Sequence, residues 1–398
     1  MKAKLFIVLI LMLPFITTGQ TTWGIQNSGN TQAYSDVYFN DINVGWTVGE
    51  NGIILNTANG GNSWANQISG TTQWLEAISF VNANTGWIVG HQGTILHTTN
   101  GGATWTAQNS GVVFDLKGVH FINNTTGWVV GGDAIILNTT DGGNTWNVQS
   151  MGYTVELNDV YFANASNGWA VGTCGTIVRT TNGGINWISL TSNVIEDLRS
   201  AYFTSATTGY VVGDVGVLMH TTDAGNTWIP QYSGACGKLT DIFFINSQNG
   251  WITCEGGILI YTQNAGDLWF TMSSGTNDML HGIFFTDPSN GWAVGENGTI
   301  LHTPFSVTTE IITNTNSQTE TLIYNENNKL YIEFSESVSD PAINIFDIEG
   351  RSVFYKEYPN QNESTNLNVD ISNLNSGIYI VGISNRNEII INEKIMVH

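Results

Sequence analysis

The sequence predicts an all-β molecule: a seven-bladed β-propeller closed by its own N-terminal strand and followed by a small C-terminal β-sandwich. Three observations carry this reading. A glycine followed by an aromatic ends at Trp46, Trp87, Trp128, Trp169, Tyr210, Trp251 and Trp292, each 41 residues after the last. A second series, Trp23, Trp64, Trp105, Trp146, Trp187, Trp228 and Trp269, keeps the same step and has the same seven members. The step stops near residue 303, and a differently patterned β-rich segment follows. A fixed period of this length specifies a repeat architecture.

The unit itself reads as a four-stranded antiparallel meander. In the second unit, runs rich in β-branched and aromatic residues at 75–80, 86–89, 94–98 and 104–108 are separated by Gly, Asn and Asp, the alternation of strands and turns. Four strands in roughly forty residues make a propeller blade. A parallel β-helix would use shorter coils, and a helical solenoid would not carry this content of glycine and β-branched residues.

The two aromatic series are out of phase at the ends. Trp23 belongs to a fourth strand with no first three before it, and the unit containing Trp292 stops after Thr303 without a fourth. Residues 22–28 are therefore expected to supply the outer strand of the last blade, which removes an open sheet edge at the seam. Thirteen of the 14 Trp fall in the repeat frame. Each buries about 150–250 Å², or roughly 4–6 kcal/mol of gross hydrophobic stabilisation, so they read as core and not as a ligand platform.

At 398 residues the chain should hold two folded units. Residues 1–20 read as a secretory signal: Lys2 and Lys4 precede an apolar run at 5–16, with Thr17 and Gly19 where a peptidase would cut. That run is too short to be a convincing membrane span, and no later stretch reaches that length, so no transmembrane segment is expected after signal removal. Residues 21–303 are assigned to the propeller, 304–320 to a Thr- and Asn-rich linker, and 321–398 to the second domain. Asp and Glu number 32 against 11 Lys and Arg, a formal charge of −21, which excludes nucleic acid and anionic membrane as partners. A monomer is expected. Cys174, Cys236 and Cys254 are too few for a disulfide scaffold and lack metal-ligand spacing. Cys236 precedes the first strand of the sixth blade and Cys254 ends the neighbouring strand, so a disulfide between them is expected. Cys174 is left as a lone thiol.

Between the third and fourth strands stands Thr139-Thr140-Asp141-Gly142-Gly143-Asn144-Thr145-Trp146, with a close variant at Asp223 and Asn at the same place in Asn59, Asn100, Asn182 and Asn264. This motif resembles the Asp-box, or BNR, repeat of sialidase-like propellers. Asp or Asn bonds its own backbone, Gly supplies positive φ and Trp packs between blades, so the boxes read as structural and no metal or cofactor is expected. The whole unit, Gly-Trp-x-Val-Gly followed by Gly-x-Ile-Leu-x-Thr-Thr-Asp/Asn-Gly-Gly-x-Thr-Trp, resembles the photosystem II assembly-factor-like propellers.

In the second domain, strand-like alternation appears at 329–334, 342–348, 367–371, 378–383 and 389–397, the pattern of a small β-sandwich. Ile343 to Arg351, Val369 to Ile380 and the terminal Lys394-Ile395-Met396-Val397 resemble the C-terminal sorting domain of the type IX secretion system of Bacteroidetes. The Pro-Asn-Pro opening of that domain is replaced by Tyr324-Asn325-Glu326. The resemblance implies type IX machinery as a partner, passage across the outer membrane, and a secreted or cell-surface location.

A sialidase needs an arginine cluster for its substrate carboxylate, and the propeller holds only Arg179 and Arg199. Other glycosidases need two carboxylates about 5–9.5 Å apart. Glu76, Asp115, Glu156, Glu196 and Asp197 lie in or before first strands, yet scattered acids in so acidic a chain are usually solvated. Divergence between repeats is more informative, because the frame fixes what folding requires. At the head of the first strand the repeats read Ser35, Glu76, Lys117, Asn158, Arg199, Thr240 and His281, with Trp74 just before and Phe114 one blade on. Charges mixed with two aromatics suit a face that binds a glycan or a protein. The alternative for Trp74 is that it folds down over its own blade. The expectation is a non-catalytic recognition or adhesion propeller, with an assembly helper and a polysaccharide-cleaving glycosidase as the rival readings.

Overall fold

The computed structural model describes residues 23–149, 154–234 and 237–304, and beyond them 321–326, 329–338, 341–346, 352–358, 364–374, 377–385 and 388–397. The expected signal peptide, most of the expected linker and Cys236 lie outside the described residues. Two compact units divide at residues 306 and 307.

The first unit is a ring of seven four-stranded antiparallel sheets. Numbered by their inner strands, blades I to VII begin with Tyr34–Phe39, Leu75–Phe80, Leu116–Phe121, Leu157–Phe162, Leu198–Phe203, Leu239–Phe244 and Leu280–Asp287. Each inner strand buries one face, Leu75, Ile78 and Phe80 in blade II, as a strand with one side on a core must. Each second strand, of the Gly86–Gly90 type, is buried throughout because sheets cover both of its faces. The fourth strand of blade II spans Thr106–Asn109, two residues later than the spacing predicts, because Thr104 is held by the Asn100 side chain in the preceding turn.

The strand Gly24–Gln26 completes blade VII, pairing Gly24 with His302, Ile25 with Leu301 and Gln26 with Ile300. The ring is closed by the same contact that joins every other pair of blades. The second-strand aromatic of one blade stacks on the inner-strand Phe of the next: Trp87 on Phe121 at 3.5 Å, Trp128 on Phe162 at 3.5 Å, and, across the seam, Trp292 on Phe39 at 3.5 Å. The box Trp of each blade then meets that Phe edge-on, as Trp64 meets Phe39 at 5.9 Å and Trp23 meets Phe285 at 6.0 Å. Aromatic pairs in these geometries add about 0.5–1.5 kcal/mol each beyond area burial.

In the box turns, the Thr139 hydroxyl donates to Asp141 at 2.8 Å and accepts from the Gly143 N–H at 2.8 Å, while Asp141 accepts from the Thr145 N–H at 2.9 Å. Asn59, Asn100, Asn182, Asp223 and Asn264 accept the equivalent hydroxyl bond. One oxygen suffices, so Asn and Asp interchange.

The second unit contains a three-stranded sheet of Thr321–Glu326, Lys329–Val338 and Ser364–Asp370, and a four-stranded sheet of Ser352–Glu357, Pro341–Phe346, Gly377–Asn385 and Glu388–Val397. Leu330, Ile332, Leu367 and Val369 from the first share one buried core with Ile343, Ile345, Val381 and Ile383 from the second. The strands Thr321–Glu326 and Ser352–Glu357 were not anticipated as such; both lie at sheet edges, paired along one side only.

Candidate binding mouth

At one face of the ring, the loop entering each inner strand meets the three-residue turn between the second and third strands. The first residue of that turn donates its N–H to the residue just before the inner strand's head: His91 to Trp74 at 2.9 Å, Asp214 to Asp197 at 2.9 Å, Glu255 to Lys238 at 3.0 Å and Glu296 to Met279 at 3.0 Å. The turn's central residue is left-handed in every blade, from Asn51 at φ 57° to Asn297 at φ 55°.

The side chains expected at the mouth lie on this rim and engage their neighbours. Glu76 Oε1 lies 2.7 Å from His91 Nε2. Lys117 reaches across to blade IV's entry loop and pairs with Glu156 at 2.5 Å. Asn158 donates to the Leu198 carbonyl at 2.7 Å, and Thr240 to the Leu280 carbonyl at 2.6 Å, each contact linking one blade to the next. Arg199 forms a bidentate pair with Asp214, at 2.9 and 2.7 Å, and touches Asp197 at 3.5 Å. The Asp214 bond raises the guanidinium's pKa, and the guanidinium in turn holds the Asp214 carboxyl below its usual range. Desolvation lowers the His281 pKa, so its imidazole is neutral near pH 7. Trp74 donates from Nε1 to the Ser35 hydroxyl of blade I at 2.5 Å and stacks on His91 of its own blade, ring centres 6.1 Å apart. It thus bridges two blades. Phe114 is 40% exposed.

Cys174 is exposed, at the left-handed position of its turn. Cys254 is buried, which pushes its thiol pKa up to about 12, and has no disulfide partner among the described residues; Cys236, its expected partner, lies outside them.

One residue deeper, the inner strands read Asp36, Ala77, Gly118, Asp159, Ser200, Asp241 and Gly282. The sequence reading missed these three aspartates. All three are half-buried. Each carboxylate accepts the N–H of its own neighbour and reaches the inner strand of the next blade: Asp36 accepts from Ile78 at 2.8 Å, Asp159 from Ala201 at 2.9 Å and Asp241 from Ile283 at 3.0 Å. The Ser200 hydroxyl lies within hydrogen-bond distance of both Asp159 and Asp241, at 3.1 and 2.8 Å. Desolvation, and then the charge of Asp241, raises the Asp36 pKa to about 8; desolvation, opposed by the Ile283 N–H, raises that of Asp241 to about 6. An Asp beside Ala and Gly at a channel-facing position of the repeat was the available signal. Beyond them, Tyr38, Tyr161, Tyr202, Phe243 and Phe284 belt the channel with ring centres 4.9 to 5.5 Å apart where they adjoin. At the opposite face an open cleft of about 430 Å³ lies at the seam, lined by Tyr38, Asp41, Phe284 and Asp287 among others. Among the described residues no group of three or more His, Cys, Asp or Glu is arranged to hold a metal, and no helix is long and apolar enough to cross a membrane.

Many solved structures share this fold. YCF48 bound to D1 peptide has a TM-score of 0.62 at 20% identity, over 72% of this chain and 96% of that one. YCF48 from Cyanidioschyzon merolae has a TM-score of 0.62 at 19% identity, over 71% and 98%. The GH74 enzyme of Niastella koreensis has a TM-score of 0.60 at 15% identity, over 91% of this chain and 65% of that one. No curated protein matches the chain. Residues 326–398 match the secretion system C-terminal sorting domain, so the protein carries a type IX export signal. Matches to the model for photosynthesis system II assembly factor YCF48, at residues 16–113, 108–191, 150–233 and 190–274, run through most of the propeller, and the chain belongs to that family.

Proposed function

We propose that this is an exported, non-catalytic recognition propeller that binds a glycan or protein ligand at its mouth. Export to the cell surface or medium follows from the sorting domain at 326–398; recognition is our reading. The observation that carries it is the divergent rim: seven blades share one buried frame, yet the head-of-strand residues differ in charge, size and hydrogen-bonding from blade to blade. Folding alone does not ask for that variety. A YCF48 structure of the same fold was solved with a peptide bound, which supports a protein ligand. Two acids of the rim are committed to partners, Glu76 to His91 and Asp214 to Arg199, which supports recognition over hydrolysis.

The test is binding to glycan and peptide arrays by the full chain and by Trp74→Ala. Loss of about tenfold or more in affinity, about 1.4 kcal/mol, is expected for the variant. Release of reducing sugar that Glu76→Gln abolishes would replace this reading with a glycosidase. Deleting 326–398 is expected to leave the propeller inside a type IX-competent cell, measured by fractionation.

A further inference from the structure

We infer that the mouth's ligand is a polypeptide segment bearing both basic and apolar side chains, docked on the blade V sector formed by Ile195, Val215 and Tyr232. This rests on the recognition reading and names its ligand class. The repeat supplies the argument. Ile195 stands where other blades have Thr31, Thr72, Thr154 and Asn277, with Val113 the other apolar exception. Val215 stands where they have Asn51, Gln92, Asp133, Cys174, Gly256 and Asn297. Tyr232 replaces Asn27, Asn109, Thr191 and Ser273, with Ile68 the other exception. Only in blade V do all three described positions turn apolar together.

These side chains are 83%, 72% and 87% exposed, so they contribute nothing to the core. Val215 is moreover a β-branched residue at φ 58°, a backbone conformation such residues rarely adopt and one that Asn or Gly would hold more easily. The three belong to one sector. Ser233, next to Tyr232, donates its hydroxyl to the carbonyl of Gly216, next to Val215, at 3.4 Å. Asp214 donates its N–H to Asp197, two residues from Ile195, at 2.9 Å. Exposed apolar side chains gathered on one blade are the kind of surface that interaction sites use.

Charge selects the partner. Between residues 23 and 304 the Lys and Arg are Lys117, Arg179, Arg199 and Lys238, and Lys117 and Arg199 are already held by Glu156 and by Asp197 and Asp214. Glu196 beside Ile195, Asp197, Asp214 and Glu255 at the next blade's turn outnumber Arg199 and Lys238, whose charge reaches Asp214, so the sector keeps surplus negative charge around its apolar side chains. Complementarity favours a ligand carrying ammonium or guanidinium groups, and the three apolar side chains favour apolar ones beside them.

The experiment measures fluorescence anisotropy of the full chain with short labelled peptides of alternating Lys and Leu, Glu and Leu, or Lys and Ser, alongside the glycan array. The expected result is that Lys/Leu binds at least about tenfold tighter than either control, a margin of about 1.4 kcal/mol, and weakens with salt. The triple variant Ile195→Thr, Val215→Asn, Tyr232→Asn, built from residues other blades already use, should lose that margin while melting no lower than the parent. Equal binding by parent and variant overturns the blade V assignment. Glycan binding that Trp74→Ala removes, with no peptide preference, overturns the ligand class and leaves the mouth standing. Silence on both arrays removes the inference and the recognition reading together.

Discussion

Among the described residues, Trp228 is a box tryptophan whose indole N–H is buried without a partner. Its counterparts Trp64, Trp105, Trp146, Trp187 and Trp269 donate to Gln26, Gln67, Gln108, Gln149 and Gln231 on the preceding blade's outer strand, at 2.9 to 3.3 Å. In blade IV that position is Leu190, which lies against Gly225 in the Trp228 turn. Leu190→Gln should therefore raise stability by about 1 kcal/mol, the net worth of one hydrogen bond, read as a higher denaturant midpoint. Gln67→Leu should lower it by about 1–3 kcal/mol, because Trp105 would be orphaned in the same way. Both changes were readable only in part from the sequence: the 41-residue frame aligns Leu190 with five glutamines, but nothing in it says that those glutamines accept a bond from the next blade.

At the scale of the element, the inner strands carry inter-blade clasps made by Asp36, Asp159 and Asp241. The Asp36 carboxyl titrates near pH 8 in the fold against an ordinary value of 3.8, so the native state holds a proton that the unfolded chain has released. Its contribution to stability is full below about pH 4 and is lost as pH rises through about 8. Asp241, raised to about 6, acts in the same direction at lower pH. Histidines with lowered pKa values, such as His97, His220 and His302, act oppositely but only below about pH 6.5. Between about pH 7 and 9, then, the wild-type melting temperature should fall relative to that of Asp36→Asn. A parallel pair of curves would show that the channel keeps Asp36 ionised throughout.

For the whole molecule, the seam is the vulnerable place. Three ladder pairs and the Trp23 ring against Phe285 join the N-terminal strand to blade VII. Trp23→Ala should cost about 3–5 kcal/mol, the usual range for a buried Trp, and removal of residues through 28 should cost more, because it also strips Ser28, whose hydroxyl donates to the Gly298 carbonyl at 3.0 Å. Thermal unfolding of the three chains, ranked wild type, Trp23→Ala, truncation, checks this.

The sequence by itself determined the blade count, the four-strand unit, the N-terminal closure and the presence of a second β-rich domain, because each follows from spacing along the chain: a strict period leaves one way to bury a regular series of tryptophans. It also aligned the candidate binding residues at one register position, the head of the first strand. It could not say what those side chains touch. Trp74 bridging to Ser35, Lys117 reaching Glu156 and the aspartates linking successive inner strands are contacts between residues about one repeat apart. Only the curvature of the ring, which sets how far one blade stands from the next, decided them.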